Sequence, residues 1–376
     1  MQSLGCAGFF ALVALVALAA SAALAPTSLH AIPPKAANGL IWEAAIAPSA
    51  AHDPYGSAVA ALLASYEASV GVKLQPAERG KVALKVDSHS GRGLGTPLAL
   101  IRALVAVLQQ RGFTRDSILI VDQTASGLRA LGVLPPLSDS GAAYFEGSPV
   151  LAWDSKMHQD PDWFYDSPLP SAMHESASRL EGFSSQLNSI QSAVDRNSYL
   201  PMPLLFEVDF WINLATGVDA PALGVDGVLA NATLWNVSNS QRFLVSPAAA
   251  AAAVAELAAI PELAERWVLN FVSLAMYQYI GGPSFNSLYA RSEPKLWLSS
   301  DPVALDRLLY ERFNHYRRLD GFPEISPLPQ QLLFAASLGL GVYEKSQIRI
   351  EEIDTPAVEH SVLPEINTSD SRNTLK

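Results

Sequence analysis

Cysteine is nearly missing from this chain: Cys6 is the one thiol in 376 residues, and it stands inside the first apolar stretch. No disulfide, thiolate metal site, iron–sulfur cluster, covalently attached haem or cysteine nucleophile is therefore expected. Positive charge is scarce too. With 25 Lys and Arg against 36 Asp and Glu the net charge is −11, and no basic run occurs. That excludes nucleic-acid binders and polybasic membrane binders as function classes. Charged residues of both signs make up 16%, below the roughly 25% usual in soluble proteins. Because 49% of the chain is hydrophobic, wholesale disorder is excluded as well. Familiar catalytic motifs are also lacking. There is no Gly-x-Ser-x-Gly elbow and no P-loop, and His174-Glu175 lacks the second histidine of a metalloprotease helix.

What is present begins with an uncharged run from Leu4 to Ala25. Ala20-Ser21-Ala22 fits a signal-peptidase site, whereas Ala23-Leu24-Ala25 is followed by the unfavourable Pro26. The run is also long enough to span a bilayer, and no Lys or Arg precedes it. Residues 1–25 thus read as a signal peptide, as an N-terminal anchor through residues 4–25, or as the product of a misassigned start. Export to the periplasm or the extracellular space is expected, with membrane contact only through this segment. Residues 26–50 are rich in Pro and Ala and read as a linker, and 354–376 as a disordered tail.

Between them, residues 51–353 alternate helix and strand patterns. Val59, Leu62, Leu63, Tyr66 and Val70 share one helical face. Lys81 to Asp87 is strand-like, Gly91, Gly93 and Gly95 punctuate a turn, and Thr96-Pro97 opens a second helix as N-cap and first residue. Ser117 to Asp122, Leu204 to Leu214, Trp267 to Val272 and Lys295 to Leu298 read as further buried strands, with helices from Ser246 to Ile260, after Asp301-Pro302 and from Gln330 to Leu338. A strand from Gln347 to Ile353 closes the pattern. This predicts an α/β fold with a mostly parallel sheet and crossover helices. Residues 154–200 break the alternation and read as one insertion over the sheet, with Trp163, Phe164 and Tyr165 as lid or core packing and helix near Leu187 to Val194.

Three groups could carry chemistry. The Gly91-x-Gly93-x-Gly95 turn lies between strand and helix, so its amides could bind an anion, although the spacing is not the dinucleotide fingerprint and a plain βα turn using glycine for positive φ is the better explanation. Asp87, Asp122 and Asp301 fall at predicted strand ends, where Asp87 and Asp122 are candidate ligands of a divalent cation. Asp301 before Pro302 is also a natural N-cap. Finally, Asn231, Asn236, Asn239 and Arg242 suggest polar ligand contact or a hydrogen-bonded loop, and Asn231 and Asn236 also head glycosylation sequons. Of seven scattered histidines only His89 neighbours these groups, and it reads as a surface residue.

Taken together, the segments Lys81 to Phe113, Ile212-Asn213 through Arg242-Phe243, and Gly281-Gly282-Pro283 with Ser300 to Asp306 resemble the domain of unknown function 362 family, in a divergent form found in some exported bacterial proteins. The resemblance covers roughly residues 55–345. It implies an α/β fold, adds Asn213 to the candidate ligand contacts, and names no reaction. Relatives with an added iron–sulfur module or a twin-arginine signal have features this sequence lacks. It departs from the family pattern where a Lys and a His follow Ile212-Asn213, reading Leu214-Ala215-Thr216-Gly217 instead. A Lys-Pro-Asn-like strand end reads Lys85-Val86-Asp87, and Ser273 stands near an expected acidic position. Two expectations follow: an exported α/β protein with an anion or divalent-cation site at strand carboxyl ends, or a catalytically degenerate binding or structural protein of the cell envelope. An envelope partner engaged through 154–200 is a third. The implied partner is a small molecule or an anion.

Overall fold

The computed structural model of the chain describes residues 32–48, 52–136, 143–154, 158–167 and 196–355. β1 (Leu40–Ala45) precedes α1 (Gly56–Val70) and β2 (Val82–Val86). α2 (Leu98–Gln110) leads to β3 (Ile118–Asp122), α3 (Ala125–Leu131), β4 (Tyr144–Phe145) and β5 (Ser148–Ala152). A separate ribbon pairs β6 (Phe164–Asp166) with β7 (Asn197–Tyr199). β8 (Phe210–Ala215), α4 (Val228–Ala232), α5 (Pro247–Ala258), α6 (Pro261–Arg266) and β9 (Trp267–Ser273) follow. The chain then forms the short pair β10 (Tyr277–Gln278) and β11 (Ala290–Arg291), β12 (Lys295–Ser299), α7 (Pro302–Leu319), α8 (Gln330–Ser337) and β13 (Arg349–Ile353).

The main sheet has nine strands in the order β13-β1-β12-β9-β8-β2-β3-β5-β4. β2, β3, β5, β8 and β9 run parallel, β12 opposes β9 and β1, and β4 opposes β5. This is an α/β fold with a mostly parallel sheet. Every residue of β2, β3, β8 and β9 is buried, as expected where helices cover both faces. One face carries Val82, Leu84, Ile120 and Ile212 against α1 and α2; the other carries Ala83, Val121, Trp211 and Val272 against α4, α5, α7 and α8. From β2 the chain proceeds outward to β3 and β5, then returns to lay β8 on the opposite side of β2. The strand order therefore reverses between β2 and β8, and in open α/β sheets that reversal opens a crevice at the strands' carboxyl ends.

Several expectations are corrected. The segment read as a linker contains β1, whose Leu40-Ile41-Trp42 core inserts between β13 and β12. Its Pro- and Ala-rich flanks hide a short apolar run that has value only once its neighbours exist. The strand predicted from Leu204 begins at Phe210; Pro203–Glu207 instead forms a π-helical turn. Pro203 has no N–H for a central ladder but fits a first helical turn. Thr96 does not cap α2, which starts one residue after Pro97. The described parts of the insertion, the β6–β7 ribbon with Trp163 and Tyr165, pack on the α4–α5 face. Residues 1–31, 168–195 and 356–376, and with them the signal or anchor segment, the helix near Leu187 and the tail, lie outside the described residues.

Candidate functional site

The crevice at the strand reversal is built on Lys85, the charged residue of an otherwise apolar strand β2. Its side chain is fully buried, so each ammonium proton needs an acceptor. All three have one: Asp122 Oδ1 at 2.6 Å, Asn231 Oδ1 at 2.8 Å and the Val86 carbonyl at 2.9 Å. Lys85 also belongs to a polar row across four strands. Register aligns it with Asn213, Asn213 with Asn270, and Asn270 with Ser299. Asn213 accepts from Asn231 Nδ2 (2.7 Å) and donates to the Val228 carbonyl (2.9 Å) and Asn270 Oδ1 (3.2 Å). Asn270 in turn donates to the Ser299 carbonyl at 3.2 Å. Such a buried network is stable because its members satisfy one another.

Asp122, at the end of β3, receives Lys85, the Ser88 amide (2.9 Å), the Gln123 amide (2.7 Å) and the Ser88 hydroxyl. Asp87, at the end of β2, lies on the same rim and has other partners. Its amide donates to Thr96 Oγ1 at 2.7 Å, and Thr96 donates to the Leu214 carbonyl at 2.6 Å, tying β2, the glycine loop and β8 together. The Thr216 hydroxyl lies 2.6 Å from the Leu94 carbonyl and 2.8 Å from Asp87 Oδ2. It has one proton for two acceptors, so it can serve only one of them at a time. Burial pushes Asp87 up to about 6, against the pull of Lys85 and the Thr216 bond. Asp226 is raised well above the carboxylate range, first by burial and then by the charge of Asp87, and accepts Trp235 Nε1 at 2.8 Å.

On the Trp235 ring lies His89, stacked at 3.6 Å with an interplanar angle of 11°. The surface reading of His89 is thereby corrected: it is half-buried, and burial lowers its pKa, which favours neutral imidazole. Beside this stack opens a cleft of about 410 Å³. Ser88, His89, Asp122, Gln123, Thr124 and Ser126 line it.

The candidates named from sequence separate into two sets. Asp87, Asp122, Asn213 and Asn231 meet at the carboxyl rim. Asn236 instead holds Trp153 Nε1 at 3.0 Å and the Ala232 carbonyl at 3.1 Å, while Arg242 binds the Ser167 carbonyl and Ser198 beneath the β6–β7 ribbon. Asn239 takes the left-handed turn before the Ser240–Val245 segment. Asn231 and Asn236 are fully buried, so a glycan on either would not fit this packing. The glycine loop is a self-bonded turn: the amides of Gly91, Leu94, Gly95 and Thr96 donate to Ser88, Gly91, Gly91 and Asp87 carbonyls. A Cβ on Gly95 would stand 2.5 Å from the Asp87 carbonyl oxygen, which is why glycine is needed there. Asp301 lies on the opposite rim, because β12 runs antiparallel to β9. There it caps α7 through Ala304 N (2.8 Å) and also accepts from Gly39 and Val342 amides. Among the described residues no group of three or more His, Cys, Asp or Glu is arranged to hold a metal ion.

Sequence reasoning missed Lys85, Thr216, Asp226 and Trp235. Lys85 had a readable signal, a cation inside a strand expected to be buried on both faces. Thr216, Asp226 and Trp235 had none, since only the fold carries them to β2.

No family model matches the chain, and no curated protein matches it. A crystal structure of a protein from Thermotoga maritima is similar at 11% identity and a TM-score of 0.26, over 52% of this chain and 46% of that one. The chain thus spans under half the length of that protein.

Proposed function

We propose that this chain is an exported α/β binding protein that takes a small, neutral, hydroxyl-bearing molecule at the carboxyl rim of β2 and β3. The observation that carries the reading is the cancelled charge of the cleft. Among the described residues Asp122 is its one lining carboxylate, and Lys85 neutralises it from behind at 2.6 Å. Around that pair stand hydroxyls and amides (Ser88, Gln123, Thr124, Ser126) and the His89 imidazole over Trp235. The Gln123 amide nitrogen is spent on Leu234, Val237 and Ser240, and the Ser88 proton on Asp122. Their oxygens and those of Thr124 and Ser126 can accept from a polyol whose apolar face stacks on the imidazole, whereas an ion would meet no free countercharge.

The same observation favours binding over acid–base chemistry, in line with a relative of the domain of unknown function 362 family that has lost the expected Lys and His. The Asp122 oxygens are occupied by four donors, so neither a cation nor a proton transfer finds it free. Thermal unfolding with D-glucose, D-galactose, myo-inositol and glycerol, against chloride salts of calcium and magnesium and against sodium phosphate, tests the reading. A neutral polyol should raise Tm, by up to about 2.7 kcal/mol of stability at 100 times Kd, and His89→Ala should remove the shift. Stabilisation by the ions alone, or a shift that survives His89→Ala, would overturn it.

A further inference from the structure

A second cleft, of about 520 Å³, runs along the outer side of α7 and shares no lining residue with the first. Helical spacing aligns Arg307, Glu311 and Arg318 on this side, with Arg312 adjoining, and Lys345 and Ile350 from the β13 end form the facing wall. Its charge runs against that of the molecule. Four cations (Arg307, Arg312, Arg318, Lys345) face two lining carboxylates, Glu311 and Glu324, in a chain of net charge −11. Glu311 is shared, 2.9 Å from Arg307 and 2.9 Å from Lys345; Arg318 pairs with Glu324, and Arg312 with Glu293 outside the lining at 3.3 Å. One positive charge is left over.

The donors are also incompletely used. Arg312 Nε is buried and donates no hydrogen bond, although buried polar groups nearly always find a partner; Arg307 Nη1 is taken by Glu311. The two guanidinium groups are held in place by their own stacking, Arg307 on Tyr310 and Arg312 on Trp297. The same lining carries the apolar Leu308, Tyr310 and the exposed Ile350. A surplus cation, an unmet donor on Arg312 and an apolar wall in one cleft describe the complement of an anionic head on an apolar body. We propose that this cleft binds a small organic anion, a carboxylate, phosphate or sulfonate on a flat apolar body, with its acid group among Arg307, Arg312 and Lys345.

The test titrates the full chain with 8-anilinonaphthalene-1-sulfonate, a flat aromatic sulfonate whose fluorescence rises on leaving water. Saturable binding is expected, displaced by sodium benzoate or phenyl phosphate. Lys345→Glu with Arg318→Glu should weaken it roughly tenfold or more, the scale of a lost charge contact. Both side chains are largely exposed, so the fold should tolerate the change, with near-ultraviolet circular dichroism as the check. Should the double variant unfold, Lys345→Glu alone supplies the same readout. The uncharged analogue N-phenyl-1-naphthylamine should bind more weakly than the sulfonate. No dye binding by the native chain, equal binding of the uncharged analogue, or unchanged affinity after charge reversal would each overturn the proposal. His89→Ala should leave dye affinity as it is, so this site and the polyol cleft fail or stand separately.

Discussion

Lys85 is held by three acceptors and Asp122 by four donors, and neither side chain touches bulk water to any extent. Removing one member of such a pair leaves an uncompensated buried charge, which typically costs about 3–5 kcal/mol. Lys85→Met should therefore lower stability by about that much in urea titration, and Lys85→Met with Asp122→Asn should recover most of the loss. If the single variant melts like the native chain, the ion pair is not the support of the rim described above. Gly95 and Gly93 make a second contrast between single residues. A methyl at Gly95 meets fixed backbone, at 2.5 Å from the Asp87 oxygen, whereas one at Gly93 meets the half-exposed Phe285 ring at 2.9 Å, which can turn aside. Overpacking costs about 1–3 kcal/mol where nothing can move. Gly95→Ala should show that loss and Gly93→Ala almost none; equal losses would mean that the loop is rigid throughout.

At the scale of elements, β1 and α7 are fastened by a single carboxylate. Asp301 accepts Ala304 N as the helix cap, Gly39 N just before β1 at 2.8 Å, and Val342 N at 3.0 Å ahead of β13. A cap alone is worth about 1 kcal/mol. Three amides released together, each buried or nearly so, should cost about 3 kcal/mol. Asp301→Ala is expected at the larger figure by chemical denaturation, together with faster amide exchange along β1. A loss near 1 kcal/mol, without the exchange signature, would reduce Asp301 to a cap. The Asp-Pro pair was readable as a cap because its partners lie three residues on. Its two other partners, more than 40 and 260 residues away, were not. The same holds for β1: its six residues become a strand only between β13 and β12, neither of which is a sequence neighbour.

For the molecule as a whole, pH acts through carboxyls that the sheet and its helices enclose. Asp306 is buried under α4, where it accepts the Val228 and Leu229 amides at 2.6 and 3.0 Å, yet burial outweighs those bonds and raises its pKa to about 7. A folded-state pKa above the unfolded value means that the native chain binds the extra proton. Stability is then full below about pH 4 for this group and declines as pH rises through about 7. Thermal melts should accordingly fall in midpoint from pH 5 to pH 8, and Asp306→Asn should flatten that slope; a slope unchanged in the variant would assign it elsewhere. Local pattern determined the fold class, the βα order through Lys81 to Asp122 and the acidic strand ends, because side-chain periodicity and turn residues act within a few positions of the chain. Which of those acids meet, that Lys85 cancels Asp122, and that Asp301 belongs to the far rim were decided by strand order and direction. Those depend on contacts between residues from 37 positions apart, as for Lys85 and Asp122, to 262 apart, as for Gly39 and Asp301, and no short stretch of sequence carries them.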